Sequence, residues 1–494
     1  MLRVALMTLA FVTSSVLAAD SATPAASAPA TNAPVVQPDK IPGNWKIEPQ
    51  PLPPLDEILK RPAATQPTYG LYLWGEDYVR YRDEIKKVGW RNFRVGGDMD
   101  DDAVKAMAED GVSAVWTVGL RINGNVKKNR PDYPSDEAFI ADFLKGVDIF
   151  LTRYGPGGTL FKENPNLSKR PVLFVEIWNE PNFQYMIPDL AEAKDQTPAQ
   201  EKQARDKLQA EREALYAKVL PATYDAIKKK WPTVTVLGFG AGGAAKADVG
   251  FILHLFEKDP VRIARSFDIL STHPYQPPTP PETCTVRTWG QYSVAGSLKE
   301  IRDILAKYSV ADRPVWYTEC GWPISKADGG AFEMSGKEVV TPQLQAAYIC
   351  RMYALTLRLG VREADIMYIT DADNYNAGFF TRDKAWRPSA YAVQTMIKLL
   401  PNPKIKRAIS DGVDGYYSYE LQADGLAKES SQSLVTMAWN VAGPKTVEIA
   451  VVTPKAQVLD MLGHEKTVAA KDGKITVEVG PCPVYIRALG LEQE

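Results

Sequence analysis

The sequence predicts a (β/α)8 TIM barrel followed by a small C-terminal β-sandwich-like domain, on three observations. Eight short apolar runs recur between Tyr69 and Ile369, amphipathic stretches separate them, and the pattern changes to alternating strands after Pro401. Alternating β and α units imply a parallel sheet, and eight of them imply closure. The runs lack clean period-two alternation, as strands covered on both faces should.

In order, the runs are Tyr69–Trp74, Asn92–Val95, Ala114–Val118, Val172–Trp178, Val234–Phe239, Phe267–Thr272, Val315–Thr318 and Ile366–Ile369. The helical stretches include Asp77–Val88, Asp100–Glu109, Asp136–Tyr154, Leu298–Tyr308, Gln343–Leu359 and Ser389–Leu400. After the fourth run, Thr197-Pro198-Ala199-Gln200 has the form of a capping box with proline at the first helical position. It predicts a charged helix to about Lys230 whose alternating charges mark a solvated face. Beyond Pro401, Tyr416–Leu421, Leu434–Trp439, Thr446–Val452 and Ile475–Val479 alternate with turn residues between them. The domain reading is a barrel over 67–400 and a β-domain over 401–494.

Residues 1–18 read as a signal peptide: Arg3 gives a positive start, Val4–Val12 an apolar stretch, and Val16-Leu17-Ala18 small residues for cleavage. The expected location is secreted or periplasmic. Ala, Pro, Thr and Ser dominate most of 19–66, which reads as a linker. No later stretch is long and apolar enough for membrane insertion.

The chain has 494 residues, 45% hydrophobic and 24% charged, with a formal net charge of −2. That composition is globular, and the charge gives no reason to expect nucleic acid or an anionic membrane as partner. Three scattered histidines, His254, His273 and His464, supply no metal-ligand cluster, so no metal is expected. The glycine-rich run Gly238–Gly243 is not followed by Lys-Ser/Thr, so it argues weakly for a nucleotide, and no cofactor is expected. Of four cysteines, Cys284 and Cys320 fall at one end of the barrel, leaving a Cys284–Cys320 disulfide or free buried thiols as the two outcomes.

Active sites of such barrels lie at the carboxyl ends of the strands. The fourth run ends Glu176-Ile177-Trp178-Asn179-Glu180-Pro181-Asn182, and the seventh ends Thr318-Glu319-Cys320-Gly321-Trp322. Cleaving a glycosidic bond needs one carboxyl group that holds a proton and another that is ionised, and Glu180 and Glu319 across a barrel mouth meet that need. Glu176 reads as structural.

On these residues the chain resembles clan A of the glycoside hydrolases, and within it family 39. The matching positions are Arg94, Trp178 to Asn182, the Gly238–Gly243 run, Ser271-Thr272-His273-Pro274-Tyr275 and Thr318-Glu319. The resemblance implies Glu180 as acid/base and Glu319 as nucleophile of a retaining, double-displacement hydrolase acting on an oligo- or polysaccharide. It implies Asn179 on the sugar 2-hydroxyl, Arg94 on Glu319, Tyr275 on Glu319, and His273 on substrate or Glu180; the alternative for Arg94 is that it only neutralises Glu176. Two departures stand out. Gly96-Gly97 follows Arg94-Val95 where many relatives have a histidine, and Tyr368–Tyr375 replaces the usual tryptophan after the eighth run. Trp74, Trp178, Trp322 and Tyr375 are the aromatic candidates for substrate contact. A binding-only barrel and a transglycosylase using the same residues are the alternatives.

Overall fold

A computed structural model of the chain describes residues 47–49, 69–97, 99–118, 129–183, 186–189, 197–285, 293–334, 336, 338–423 and 434–489. The reading of a signal peptide at 1–18 falls outside them. Within the tract read as linker, Ile47–Pro49 is a strand, paired antiparallel with Thr283–Thr285.

Eight parallel strands close into a barrel in chain order. They are β1 (Tyr69–Trp74), β2 (Asn92–Gly96), β3 (Ser113–Val118), β4 (Phe174–Ile177), β5 (Thr235–Gly242), β6 (Ile269–His273), β7 (Val315–Cys320) and β8 (Ala364–Met367). Each coincides with a predicted run. The largest difference is β5, which continues three residues past Phe239 to Gly242. Ser271 pairs with Phe239 but Thr272 with Ala241, so β5 carries one extra residue. That bulge, with Phe239 and Gly240 at φ 83° and 50°, brings the strand end against the loop after β4.

The capping box forms as read: the Gln200 amide donates to Thr197 Oγ1 at 3.3 Å, and the Thr197 amide donates to Gln200 Oε1 at 2.9 Å. The helix runs from Pro198 to Lys230, with Lys202, Asp206, Lys207 and Glu211 exposed along it. The helix predicted over Asp77–Val88 breaks at Tyr81, whose ring is fully buried and stacked on Phe380. Among the described residues, no helix is long and apolar enough to cross a membrane.

Among the described residues the C-terminal part holds eight strands: β9 (Lys404–Val413), β10 (Tyr416–Gln422), β11 (Leu434–Asn440), β12 (Lys445–Ala450), β13 (Lys455–Asp460), β14 (Glu465–Ala469), β15 (Lys474–Val479) and β16 (Val484–Ala488). Six form one antiparallel sheet in the order β9-β10-β11-β16-β13-β14, and β12 pairs with β15. Alternation divides the large sheet cleanly. Tyr417, Tyr419, Met437, Trp439 and Tyr485 join the barrel's own core. Ala438, Ala456, Val458 and Ile486 face the other way and pack with Ile449, Ile475, Val477 and Val479 of the two-stranded pair. The β-domain therefore shares one continuous apolar interior with the barrel.

Cys320, Cys350 and Cys482 are free thiols, so the Cys284–Cys320 disulfide does not form. Cys320 is fully buried, with its Sγ 4.0 Å from the Asp365 carbonyl oxygen of β8.

Candidate active site

Inside the barrel, Val115, Leu237, Ile269 and Trp316 make an apolar layer, joined by Phe174. One step further along, Thr117 and Thr318 donate to Glu176, which in turn meets a buried cation. Arg94 of β2, fully buried, donates from Nε to Glu176 Oε2 (2.7 Å), from Nη1 to Glu319 Oε2 (2.7 Å) and from Nη2 to Asn179 Oδ1 (2.6 Å). Its guanidinium also lies over the Tyr72 ring, 4.6 Å from the centroid. Arg94 meets Glu176 and Glu319 at once, so the alternative in which it only neutralises Glu176 does not hold. Arginine only donates, so the contact fixes the Asn179 amide with its oxygen inward and its nitrogen turned away.

Two local irregularities aim the carboxyls. On β7, Tyr317 pairs with Ala364 but Cys320 with Ile366, so three steps along β7 match two along β8. Such a bulge re-aims a side chain; Thr318 points inward, to Glu176 Oε1 at 2.6 Å, and Glu319 next to it also faces the mouth. After β4, Trp178 and Glu180 have φ of 69° and 45°. Left-handed conformations in such residues cost about 1–3 kcal/mol each and persist where the surroundings over-determine them. Here the Trp178 amide donates to the Val118 carbonyl at 2.8 Å and the Glu180 amide to the Gly240 carbonyl at 3.0 Å. Asn182 clamps the neighbouring strand from both sides, donating to the Gly242 carbonyl at 2.9 Å and accepting from its amide at 3.0 Å. A Cβ on Gly242 would stand 2.4 Å from Glu180 Oε1, so the glycine run exists to let β5 pass beside this carboxyl.

The result is two buried carboxyl groups with different company. Glu319 receives Arg94 on Oε2 and the Tyr275 hydroxyl on Oε1 at 2.5 Å. Glu180 faces His273, whose Nδ1 is hydrogen-bonded to Oε1 at 3.0 Å. One atom each from Glu180, His273 and Glu319 falls within 4.8 Å of the others. Burial pushes the Glu180 carboxyl up to about 7, with Arg94 opposing and Glu176 adding to the rise. Burial raises Glu319 as well, against the pull of His273, Arg94 and the Tyr275 hydrogen bond. Burial also drives His273 down to about 4, so its ring is neutral at neutral pH. Glu176, despite its burial, is held below the usual carboxylate range by Arg94, His273 and the Thr318 hydroxyl. The trio of Glu180, His273 and Glu319 has the donor types of a divalent-cation site, but Arg94 already stands as the resident cation of Glu319.

No protein-family model matches the sequence, and no curated protein matches it. Solved structures do. A family 39 glycoside hydrolase from the gut symbiont Bacteroides cellulosilyticus WH2 superposes with a TM-score of 0.62 at 20% identity, over 85% of this chain and 80% of that one. The chain has the fold of family 39. A monomeric β-xylosidase from Caulobacter crescentus CB15 aligns with a TM-score of 0.52 at 15% identity, over 87% of this chain and 99% of that one. A family 39 enzyme from Xanthomonas axonopodis pv. citri gives 0.51 at 12% identity, over 87% and 96%.

Within this family 39 fold, the aromatic candidates divide. Trp74 lies at the mouth, its ring against Gly96 and Gly97; a Cβ at either would meet it at 3.0 or 3.1 Å. The departure at Gly96-Gly97 thus makes room for Trp74. Tyr375 also lies at the mouth, with its ring centroid 6.2 Å from that of Tyr275 and its hydroxyl donating to the Gly321 carbonyl at 3.2 Å. Trp178 does not line the mouth: the left-handed turn flips it outward, and it is buried against Phe139 and Phe143 of the helix Asp136–Tyr154. Trp322 is likewise buried, edge-on to Tyr348, with its Nε1 donating to the Thr279 carbonyl at 2.8 Å. Both are correctly read as near the site and misread as substrate contacts. Two tyrosines were missed. Tyr72 shares the inward face of β1 with Trp74, which period two alone would have shown. Tyr368, directly after β8, packs against it with centroids 5.2 Å apart and occupies the stretch where the resemblance expects tryptophan.

Proposed function

We propose that the chain is a retaining glycoside hydrolase that cleaves O-glycosidic bonds of an oligo- or polysaccharide outside the cytoplasm. The observation that carries this reading is the pairing of two buried carboxyls on opposite sides of the barrel mouth, one with an arginine partner and, among the described residues, one without. Glu180, raised to about 7, keeps its proton at mildly acidic pH and gives it to the leaving oxygen. Glu319, oriented by Arg94 and Tyr275, attacks the anomeric carbon. The glycosyl–Glu319 ester then forms as the bond to the leaving oxygen breaks. Glu180, now ionised, takes a proton from water, which attacks the same carbon and releases Glu319.

Retention is supported by the spacing. An oxygen of Glu180 lies within 4.8 Å of one of Glu319, short of the roughly 6.5–9.5 Å that an inverting enzyme needs for a water between its carboxyls. The amide nitrogen of Asn179 is turned towards a sugar 2-hydroxyl, and Trp74, Tyr368 and Tyr375 offer flat faces to the ring. The comparison protein named as a β-xylosidase supports a β-linked substrate. A transglycosylase would use the same residues; a binding-only barrel would not need two carboxyls in different protonation states.

Hydrolysis of a panel of aryl β-glycosides and polysaccharides by the wild type, Glu180→Ala and Glu319→Ala, with and without azide, tests the reading. Azide should rescue Glu180→Ala with a β-glycosyl azide as product and Glu319→Ala with an α-glycosyl azide. Cleavage by both variants at the wild-type rate would remove these residues from the chemistry.

A further inference from the structure

Beneath the two carboxyls lies a third that the mechanism above does not use. Glu176 is fully buried in the barrel. Its Oε2 accepts from Arg94 Nε at 2.7 Å and from Thr117 Oγ1 at 3.1 Å, and its Oε1 accepts from Thr318 Oγ1 at 2.6 Å. These bonds tie β4 to β2, β3 and β7. Arg94 turns both Nε and Nη2 to the same Glu176 oxygen, each at 2.7 Å. Nη2 also donates to Asn179, and Nη1 is left for Glu319, both at the mouth. The guanidinium is planar and rigid, so fixing one edge aims the rest.

We infer that Glu176 is a positioning residue of the proposed reaction: it holds Arg94 so that the guanidinium points at Glu319 and Asn179 together, and it shares the positive charge that Glu319 would otherwise hold alone. The inference rests on the hydrolase reading. With Glu176 ionised, one cation is divided between two carboxylates, and Glu319 keeps enough basicity to attack. With Glu176 neutral, Arg94 would stabilise the Glu319 carboxylate more strongly and make it a poorer nucleophile. The same loss would let the field of Arg94 reach Glu180 uncompensated, making it release its proton at lower pH.

The other charged or titratable groups facing this cluster do not replace Glu176. His273, on β6, is neutral at neutral pH. Asp365, on β8, is fully buried, and burial pushes its carboxyl well above the usual carboxylate range against the pull of Arg94. Asp248, in the first turn of the helix after β5, is likewise raised by burial, to about 7, and its carboxyl accepts from the Ala245 amide at 2.9 Å.

Glu176→Gln is the test, since it keeps the size and the Arg94 Nε acceptor and removes only the charge. The pH profile of kcat/KM should move to lower pH by about one unit, with kcat at the optimum down roughly tenfold. ¹³C-carboxyl titration of glutamate-labelled protein should show Glu180 and Glu319 titrating lower than in the wild type, a readout that needs no substrate. Glu176→Asp, which keeps the charge but shortens the reach, should lower kcat while leaving the pH limbs in place. If Glu176→Gln does not fold, Glu176→Asp carries the test alone, and an unchanged kcat would overturn the inference. Wild-type limbs and carboxyl titrations in Glu176→Gln would also overturn it. If instead Glu180→Ala and Glu319→Ala keep full activity beside these variants, the hydrolase reading has failed rather than the role of Glu176.

Discussion

Two of the molecule's buried arginine–carboxylate clusters are composed differently. At the seam between barrel and β-domain, Arg351 meets Glu282 through Nε at 2.7 Å and Nη2 at 2.5 Å, and its Nη1 donates to the Pro481 carbonyl at 3.0 Å. One cation satisfies one carboxylate, both side chains are at most 1% exposed, and the remaining nitrogen is consumed by backbone. At the mouth, one cation serves two carboxylates and an amide, and a third carboxyl, Glu180, has no arginine or lysine partner among the described residues. The same residue types give a clasp where charges cancel within the pair, and a reactive site where they do not. A buried Arg–carboxylate pair is thus no sign of chemistry by itself; the number of carboxyls per cation is.

The largest effects should fall on the imbalanced cluster. Glu319→Ala should reduce kcat by about 10⁴-fold or more, because it removes the attacking group. Glu180→Gln should cost about 10²- to 10⁴-fold on natural glycosides, and less on aryl glycosides whose leaving group departs without help. A steady-state series across leaving groups checks both. The wild-type rate should fall as pH rises through about 7, where Glu180 loses its proton, and that limb should vanish in Glu180→Gln. Persistence of the limb in the variant would assign it to another group.

The seam should answer in a different currency. Arg351→Met should destabilise the fold by about 3–5 kcal/mol, since it leaves Glu282 buried and alone, while kcat/KM of the folded fraction stays near wild type. Chemical denaturation paired with active-site titration separates the two. A loss of kcat/KM without loss of stability would erase the contrast drawn above. Smaller still is Gly242→Ala, whose Cβ would come within 2.4 Å of Glu180 Oε1. It should displace that carboxyl and lower kcat by roughly 10- to 100-fold, with KM little changed.

How much of this was legible in the sequence follows from where regular geometry holds. The eight barrel strands were, because each is an apolar run ended by a polar or glycine residue. Glu180, Glu319, Arg94, Asn179, His273 and Tyr275 were placed near one another by motif and strand order, and the structure brings all six together. Trp178 and Trp322 could not be placed by alternation. A left-handed φ at Trp178 and a bulge in β7 reset the side-chain parity where the site begins. Two of the four C-terminal strands that escaped did so for a simpler reason. Lys404–Val413 is mostly half-exposed and polar, and Glu465–Ala469 is an exposed edge, so neither carries an apolar period. The role of Glu176 was hidden because a pairing of charges says nothing about how many partners share one arginine.

The central claim is that Glu319, and not Glu180, forms a bond to the sugar. A 2-deoxy-2-fluoro glycoside with a good leaving group slows release of the intermediate, so the adduct can be located by intact mass and peptide mapping. The account predicts one glycosyl unit per chain, carried on the peptide containing Glu319, and a first-formed product of retained anomeric configuration by ¹H NMR. A label on the Glu180 peptide, or an inverted product with no label, would contradict it.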